Sequence, residues 1–281
     1  MPPPKKRVAR TAILASETVA HTAGADISEK ENRPKEVELK LPDKKKYFDV
    51  PTDILENLRF TDVSLYSSTP TEQSKYTAEL LLSYYSKNEL TTKTLTDATA
   101  CIGGNTWIFA DYVKQVTANE LANIHAEILE NNMKALNKKN ITFLNRNYLD
   151  IYLSVKQDII FFDPPWGGTN YKQFNDVEIQ LMGSDGQPKK LDEIILGLLQ
   201  YKCETMILKL PVNYSIKKIT NNCTFINIDD LVIKAIPDNK PLYRLVILSH
   251  LPKLKEPVIK SFHRLAYKSI NFIVSDKPSP L

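Results

Sequence analysis

The stretch Asp163-Pro164-Pro165-Trp166-Gly167-Gly168 directly follows an apolar run at residues 159–162. Four apolar residues between polar neighbours predict a short buried β-strand, and the prolines and glycines that follow predict its end. In open α/β sheets, ligands bind outside the carboxyl ends of the strands. We therefore predict a functional site here, in which a carboxylate, a backbone carbonyl and an aromatic ring are held together.

Short apolar runs alternate with helical patterns from residue 94 onward. The predicted strands are 94–98, 114–118, 141–144, 158–162, 205–210, 225–228 and 242–248, of which the last two form a hairpin around Pro237. Alternating strands and helices form a mostly parallel sheet with both faces covered, and a terminal pair without a helix between them adds an antiparallel strand. The predicted fold class is α/β, with a mostly parallel seven-stranded sheet and an antiparallel edge strand.

Composition limits the classes of protein that this chain can belong to. Among 281 residues, 42% are apolar, and no apolar run approaches the ~18 residues that a membrane span needs. The three cysteines are far apart, and neither they nor the four histidines show metal-ligand spacing, so we predict reduced thiols and no metal. We expect a soluble, intracellular protein, with nucleus and cytoplasm left open.

Positive charge is concentrated at the amino terminus. Residues 1–46 hold 11 Lys and Arg against 7 Asp and Glu, which accounts for the whole formal charge of +4. This segment lacks aromatic residues before Tyr47, and we predict a disordered basic tail; its Lys5-Lys6-Arg7 cluster could recruit a partner or contact RNA, or remain solvated. The neutral remainder favours recognition of a base or a chain end over long contact with a nucleic-acid backbone.

The chain divides into four predicted regions. Within the second, Thr69 is predicted to cap a helix that begins after Pro70 and runs to about residue 86. The regions are the tail 1–46, an N-terminal helical extension 47–93 that contributes to the substrate site, a catalytic domain 94–252 and a C-terminal extension 253–281.

Polar groups follow several predicted strands and together suit a nucleoside. Asp97 ends the first strand and precedes the Gly103-Gly104 turn, where the backbone can approach a ligand closely. Glu120 ends the second strand, where an acid can bind ribose hydroxyls, and Asn147 follows the third, where an amide can bind an adenine edge. The turn lacks the GxGxxG spacing of a dinucleotide site. This combination favours S-adenosylmethionine over NAD or ATP.

The opening stretch supplies groups that suit methylation of an exocyclic amine. The Asp163 carboxylate and the Pro164 carbonyl can accept the hydrogens of an amine and so direct its lone pair. Trp166 offers a flat face for stacking a base, worth about 1 to 3 kcal/mol, and its ring also suits a cationic base. We predict Asp163 and Pro164 as the catalytic groups.

Taken together, these segments resemble the trimethylguanosine synthases, a family of RNA cap guanine methyltransferases. The resemblance covers about residues 60 to 250. It is carried by residues 66–70 (YSSTP), 97–106 (DATACIGGNT), Asn131-Asn132, 163–168 (DPPWGG) with Tyr171, and 210–213 (LPVN). It implies a Rossmann-like class I S-adenosylmethionine-dependent methyltransferase that acts on the exocyclic amine of a 7-methylguanosine RNA cap, giving di- or trimethylguanosine.

The resemblance also implies roles for individual residues. The predicted cofactor ligands are Thr69, Asp97, Gly103, Asn105, Glu120, Asn147 and Asp163. The predicted substrate ligands are Trp166, which would stack on the cationic methylguanine, together with Tyr171, Lys209 and Asn213. Capped RNA would be the partner.

The sequence departs from the family at three positions of this site, one of which is Thr169, where a Pro is common after the two glycines. Asp163 stands where animal members usually have Ser, and Val212 stands where the family often has an Arg that contacts phosphate; Lys209, Lys217 or Lys218 could replace that contact. One methyl transfer rather than two is therefore also consistent with the sequence. Two other functions stay open: adenine-N6 methylation of DNA or RNA, and an idle module that only binds a cap or RNA.

Overall fold

A computed structural model describes residues 12–13, 33–201, 203–223, 226–263 and 272–274. Its strands are β1 (Ala12–Ile13), β2 (Glu36–Leu39), β3 (Phe60–Thr61), β4 (Thr94–Asp97), β5 (Gln115–Asn119), β6 (Ile141–Leu144), β7 (Ile159–Phe162), β8 (Ile179–Met182), β9 (Pro188–Lys190), β10 (Thr205–Leu210), β11 (Asn227–Ile236), β12 (Pro241–Ser249), β13 (Ser261–His263) and β14 (Phe272–Val274). All seven predicted strands are present, although residues 224–225, at the start of the predicted strand 225–228, lie outside the described residues.

The helices cover both faces of the main sheet. They are α1 (Leu41–Tyr47), α2 (Thr52–Leu55), α3 (Ser64–Ser67), α4 (Thr71–Leu80), α5 (Lys87–Leu90), α6 (Thr106–Phe109), α7 (Asn123–Ala135), α8 (Tyr148–Ile151), α9 (Leu191–Tyr201) and α10 (Lys217–Thr220), with 3₁₀ turns at Leu81–Ser83 and Gly168–Gln173. Within the described ranges, none of these helices combines the length and the apolar character needed to cross a bilayer.

The main sheet has eight strands among the described residues, in the order β13-β11-β12-β10-β7-β4-β5-β6. The prediction of a mostly parallel α/β sheet is confirmed, and the count rises from seven to eight because β13 pairs with β11. The position of the antiparallel strand is corrected. β12 pairs antiparallel with both β10 and β11, so it lies inside the sheet rather than at its edge. The hairpin folds back with its second strand against β10, which leaves the first strand outside.

Strand β7, which precedes the opening stretch, lies at the centre of the sheet between β4 and β10. Alternate side chains of a strand point to opposite faces. Ile159 and Phe161 belong to one apolar cluster, and Ile160 and Phe162 belong to the other. Both faces of β7 are therefore buried, which explains why its sequence is an unbroken apolar run.

The segment before residue 47 contributes to the folded domain. Strand β2 pairs with β3 and β14, and its Val37 and Leu39 side chains are buried. In α1, the buried Lys44 donates from Nζ to the carbonyl of Leu58 at 2.8 Å. The predicted disorder is therefore wrong for residues 33–46, because their alternating apolar residues have a partner in β3. Residues 1–11 and 14–32, with the basic cluster, lie outside the described residues.

The connection after the opening stretch, residues 168–190, contains secondary structure. β8 and β9 form a hairpin, to which β1 adds a third, parallel strand. The hairpin contacts the main domain through Asn213, whose carbonyl accepts a hydrogen bond from the Val177 amide at 2.9 Å. The insertion therefore lies next to the predicted site.

Candidate active site

The predicted site residues gather at the carboxyl ends of β4, β5, β7 and β10. Asp97 is the last residue of β4 and pairs in register with Phe161 of β7, and Asp163 follows two residues later. The Thr99 hydroxyl joins the two strand ends, because its oxygen accepts from the Asp163 amide at 3.2 Å and donates to the Asp163 carbonyl at 2.9 Å. Central parallel strands thus bring the two acids to one edge of the sheet.

A buried hydrogen-bond network surrounds the Asp163 carboxylate. Lys209 donates from Nζ to Asp163 Oδ2 at 2.7 Å and to Thr69 Oγ1 at 2.9 Å. Asn105 donates from Nδ2 to the same Thr69 oxygen at 2.9 Å. Thr69 and Lys209 are only 1% and 8% exposed. The network joins two predicted cofactor ligands, Thr69 and Asn105, to the motif, and Thr69 serves it instead of capping α4, which begins after Pro70.

Asp97 is almost fully buried and carries an unusual pKa. Burial raises the pKa of its carboxyl from 3.8 to about 7, and the nearby Asp163 and Glu120 charges add to this effect. The Thr106 hydroxyl donates to Oδ2 at 2.6 Å and opposes it. Oδ1 makes no hydrogen bond of standard geometry among the described residues, although the Thr99 amide lies close enough to lower the pKa. A ligand with a cationic or donor group would satisfy this oxygen.

Glu120 lies after β5 and organises the loop that follows β4. Its two carboxylate oxygens accept from the Cys101 amide at 2.8 Å and the Ala122 amide at 2.9 Å. Each carboxylate oxygen has a further lone pair, so the side chain can still accept from hydroxyl groups. The prediction that Glu120 binds ribose therefore remains compatible with its position.

The two glycines after β4 allow two other elements to approach the loop. Gly103 has φ +98°, and a Cβ atom there would lie 2.5 Å from Met133 Cε in α7. A Cβ atom on Gly104 would lie 2.9 Å from the Thr69 carbonyl oxygen. Because backbone atoms cannot move aside as a side chain can, only glycine at position 104 lets the Thr69 segment come this close.

Trp166 and Tyr171, two of the predicted substrate ligands, lie next to each other. Their rings meet edge to face, with centroids 5.3 Å apart, and the Trp166 indole nitrogen donates to the Lys209 carbonyl at 3.2 Å. Asn213 donates to the Tyr171 carbonyl at 2.8 Å and so fixes the 3₁₀ turn that carries it. Asn213 therefore supports Tyr171 in this structure, and its contact with substrate stays a prediction.

Both polar atoms of the Asn147 side-chain amide form hydrogen bonds within the protein. Its oxygen accepts from the Leu149 amide at 3.0 Å and caps α8, while its nitrogen donates to the Met182 carbonyl at 2.7 Å. It links the β6 end of the sheet to the β8 hairpin. These bonds occupy the groups that were expected to read adenine, so that role stays a prediction.

The lysines predicted to replace the missing arginine differ in their surroundings. Lys209 is buried in the network, and Lys218 pairs with Asp176 at 2.9 Å. Lys217 is exposed. The ammonium group of Lys209 points into the site and is paired with Asp163. Lys209 could therefore contact a phosphate only if this ion pair were broken.

Sequence reasoning missed two residues of this site. Thr99 bridges the strand ends, and the Tyr243 ring lies 5.3 Å from Lys209 Nζ. Thr99 could have been found, because it directly follows the predicted strand 94–98 and stands two residues after Asp97. Tyr243 could not, because its position depends on β12 lying inside the sheet.

The acceptors at this edge fit the chemistry of S-adenosylmethionine. Asp97 Oδ1 and Asn105 Oδ1 are buried without a hydrogen-bond partner among the described residues, and both can accept from an amino group. Glu120 can accept from ribose hydroxyls. Elsewhere in the described ranges, no three His, Cys, Asp or Glu side chains group in a way that could hold a metal.

The chain is similar to solved structures of methyltransferases, and the superposition with a TM-score of 0.50 shows the fold. A putative methyltransferase from Porphyromonas gingivalis W83 superposes with a TM-score of 0.50 at 13% identity, over 75% of this chain and 49% of that one. A putative class I S-adenosylmethionine-dependent methyltransferase from Listeria monocytogenes gives 0.48 at 12% identity, over 71% and 65%. A putative methyltransferase from Streptococcus mutans, solved with S-adenosylhomocysteine, gives 0.41 at 12%, over 66% and 99%.

Comparisons of sequence show the family. A mimivirus protein of Acanthamoeba polyphaga, called uncharacterized protein L320, is 39% identical over 124 residues, which are 43% of this chain and 46% of that protein. The chain thus matches less than half the length of this relative. The profile of the RNA cap guanine-N2 methyltransferases matches residues 92–266, more than half of the chain. The fold is that of a class I methyltransferase with S-adenosylmethionine as its cofactor, and the chain belongs to the RNA cap guanine-N2 methyltransferase family.

Proposed function

We propose that this enzyme methylates the exocyclic amine of the 7-methylguanosine cap of RNA. The observation that carries this proposal is the placement of a carboxylate directly beside an aromatic ring at the end of β7. Asp163 is partly buried and is held by Thr99 and Lys209, and Trp166, also partly exposed, lies next to it. Acceptors for an amine and a face for a base therefore lie in adjacent residues.

The chemistry of the cap fits this pair of residues. A 7-methylguanine ring is cationic, and a cation is attracted to the negative face of an indole ring. The Asp163 carboxylate and the Pro164 carbonyl would accept the two hydrogens of the exocyclic amine. That arrangement would orient the nitrogen lone pair before attack, which lowers the entropic part of the barrier.

The chain's residues have defined tasks in the transfer. S-adenosylmethionine supplies, when bound, a methyl group whose bonding electrons leave with sulfur. The amine nitrogen uses its lone pair to form the new N–C bond and then loses one proton to solvent. Asp163 and Pro164 hold the amine, Asp97 and Glu120 hold the cofactor, and Trp166 stacks on the base.

The test is mass analysis of a capped oligonucleotide after incubation with the cofactor. We expect the cap guanine to gain the mass of one or two methyl groups in an RNA with a 7-methylguanosine cap but not in one with an unmethylated cap. Transfer to adenine without cap dependence would contradict the proposal, and cap binding without transfer would leave only a binding module.

Two substitutions separate the halves of the site. Trp166→Ala is expected to lower affinity for a cap analogue about 5- to 150-fold, as loss of about 1 to 3 kcal/mol of stacking implies, with binding of S-adenosylhomocysteine retained. Glu120→Ala should show the reverse pattern. Loss of only the cofactor in both variants would refute the assignment.

A further inference from the structure

We propose that Lys209 is a positioning residue for methyl transfer, which holds Asp163 and Trp166 in place and balances the charge of Asp163. The inference rests on the proposed amine methylation. It replaces the expectation that Lys209 contacts a cap phosphate.

Lys209 contacts both functional members of the opening stretch. Its side chain donates to Asp163 Oδ2 at 2.7 Å, and its backbone carbonyl accepts from the Trp166 indole at 3.2 Å. The strand register explains this, because Leu208 of β10 pairs with Phe162 of β7 immediately before. One residue of the neighbouring strand therefore fixes the carboxylate and the ring relative to each other.

The same ammonium group connects the motif to the cofactor side of the site. Its second hydrogen bond goes to Thr69 Oγ1 at 2.9 Å, which also accepts from Asn105 at 2.9 Å. Thr69 in turn lies against Gly104 in the loop after β4. With two oxygen acceptors and 8% exposure, the ammonium group has little freedom to reach a phosphate.

The surroundings of Asp163 explain why it needs a cation. Burial raises the pKa of the Asp163 carboxyl, and Lys209 opposes that shift. The other titratable groups that interact with this part of the site are acidic: Asp97 at the end of β4, Glu120 after β5, and the Cys101 thiol. Without Lys209, Asp163 would more readily take up a proton and could no longer accept from an amine at that oxygen.

Charge balance also protects the base-binding face. Lys209 Nζ lies 5.8 Å from the centroid of the Trp166 ring and 5.3 Å from that of Tyr243. An unbalanced ammonium group there would repel a cationic base on Trp166. Paired with Asp163 at 2.7 Å, the two groups together carry no net charge. The pair thus lets Trp166 receive a cation while Asp163 Oδ1 remains to accept from an amine.

The test is Lys209→Met, which removes the charge and keeps an unbranched side chain of similar length. We expect kcat for the methylated amine to fall about 100-fold, the size of effect that a misplaced reacting group produces. The acid limb of the pH–rate profile should move to higher pH, because Asp163 takes up a proton more readily. S-adenosylhomocysteine affinity should stay within about threefold of the parent value. Lys253→Met is the matched control, since Lys253 pairs at 2.6 Å with the buried Asp229 of β11, which β12 separates from β10; it should leave kcat and the profile unchanged.

The double variant Asp163→Asn/Lys209→Met restores a neutral, uncharged pair. We expect its kcat to be at least tenfold higher than that of Lys209→Met, and the acid limb of its pH–rate profile not to be shifted. An equal loss at every pH without recovery would overturn the inference, because that is the result of a purely structural role. Loss of cofactor binding would overturn it too, since Lys209 would then be a cofactor ligand, and a loss seen only as a raised KM for capped RNA would restore the phosphate contact.

The wild-type enzyme separates this inference from the proposed function. If it methylates an amine other than the cap, the proposed function fails, and the Lys209 variants are assayed on that amine. If it methylates none, pH-dependent unfolding provides the readout. A carboxyl group whose pKa is raised in the folded state makes the protein less stable as pH rises. Lys209→Met should therefore lower the free energy of unfolding most near pH 7, and the difference from the parent should shrink as pH falls toward 4. A deficit that does not change with pH would overturn the inference.

Discussion

Replacing Asp97 with asparagine should remove a large pH dependence from the stability of the ligand-free protein. The pKa of Asp97 is about 7 in the folded protein, against an ordinary value of 3.8, because burial disfavours the charged form. A difference of about 3 pKa units at 1.36 kcal/mol per unit corresponds to about 4 kcal/mol. Asparagine has nearly the same shape and can still accept from the Thr106 hydroxyl, so the change removes mainly the charge.

The sign follows from proton binding. Between pH 4 and pH 7 the folded state holds the Asp97 proton more tightly than the unfolded state, so raising the pH through this window destabilises the parent. Below about pH 4 that contribution is fully present, and above pH 7 it is lost. We therefore expect the free energy of unfolding of Asp97→Asn, relative to the parent, to rise by about 4 kcal/mol between pH 4 and pH 7.

Urea unfolding at half-unit intervals of pH measures this difference. Asp53→Asn, at an exposed position, controls for the loss of one surface carboxylate. A difference between Asp97→Asn and the parent that stays constant from pH 4 to 8 would refute the reasoning, because it would mean that Asp97 titrates alike in both states. If Asp97 also binds the cationic amino group of the cofactor, calorimetry should show S-adenosylhomocysteine binding tighten as the pH rises through 7, and this trend should be absent in Asp97→Asn.

Two further predictions test how the loop after β4 is supported. Gly103→Ala should destabilise the protein by about 1 to 3 kcal/mol, because the new Cβ atom would lie 2.5 Å from Met133 and the residue has a positive φ. Gly186→Ala is the control for the cost of φ alone, since Gly186 has φ +74° and a Cβ atom there would meet no atom within 4 Å. Equal effects of the two substitutions in thermal unfolding would contradict this. Asn132→Ala should cost about 3 kcal/mol, since this buried amide bonds to the Arg59 backbone at 2.9 and 3.1 Å and to the Ile102 carbonyl at 3.2 Å. Asn131→Ala, the neighbouring amide, should cost less than about 1 kcal/mol in the same urea titration.

The sheet could be predicted from sequence because most of its strands have a clear local sequence pattern. The run 159–162 is apolar on both faces, and β4 to β7 alternate with helical segments at ordinary spacing, so order and direction follow from general rules. The position of β12 could not be predicted, because it depends on which strand of a hairpin pairs with β10. Residues 33–46 were misjudged for a similar reason: β2 is short and polar on one side, and its stability comes from pairing with β3, 21 residues further along the chain.

The site shows the same division between local and distant information. Asp163, Trp166 and Glu120 could be predicted as candidate site residues, because each follows a strand in a pattern that chemistry explains. The partner of Asp163 was not predicted, because Lys209 was assigned to a phosphate contact from its charge, without regard to its register in the sheet. A lysine near the carboxyl end of a strand does, however, indicate an ion pair when the neighbouring strand is followed by an acidic residue.

The departure of Asp163 from the Ser usual in the resembling family and the presence of Lys209 are physically one feature. A buried carboxylate without a cation would be protonated or costly, and a buried ammonium group beside Trp166 without an anion would repel a cationic base. Each residue is therefore tolerable in this site only because of the other, held at 2.7 Å by strands adjacent in the sheet. Thr69 belongs to the same unit through its hydrogen bond to Lys209, so the segment before residue 94 contributes a side chain to the network around Asp163.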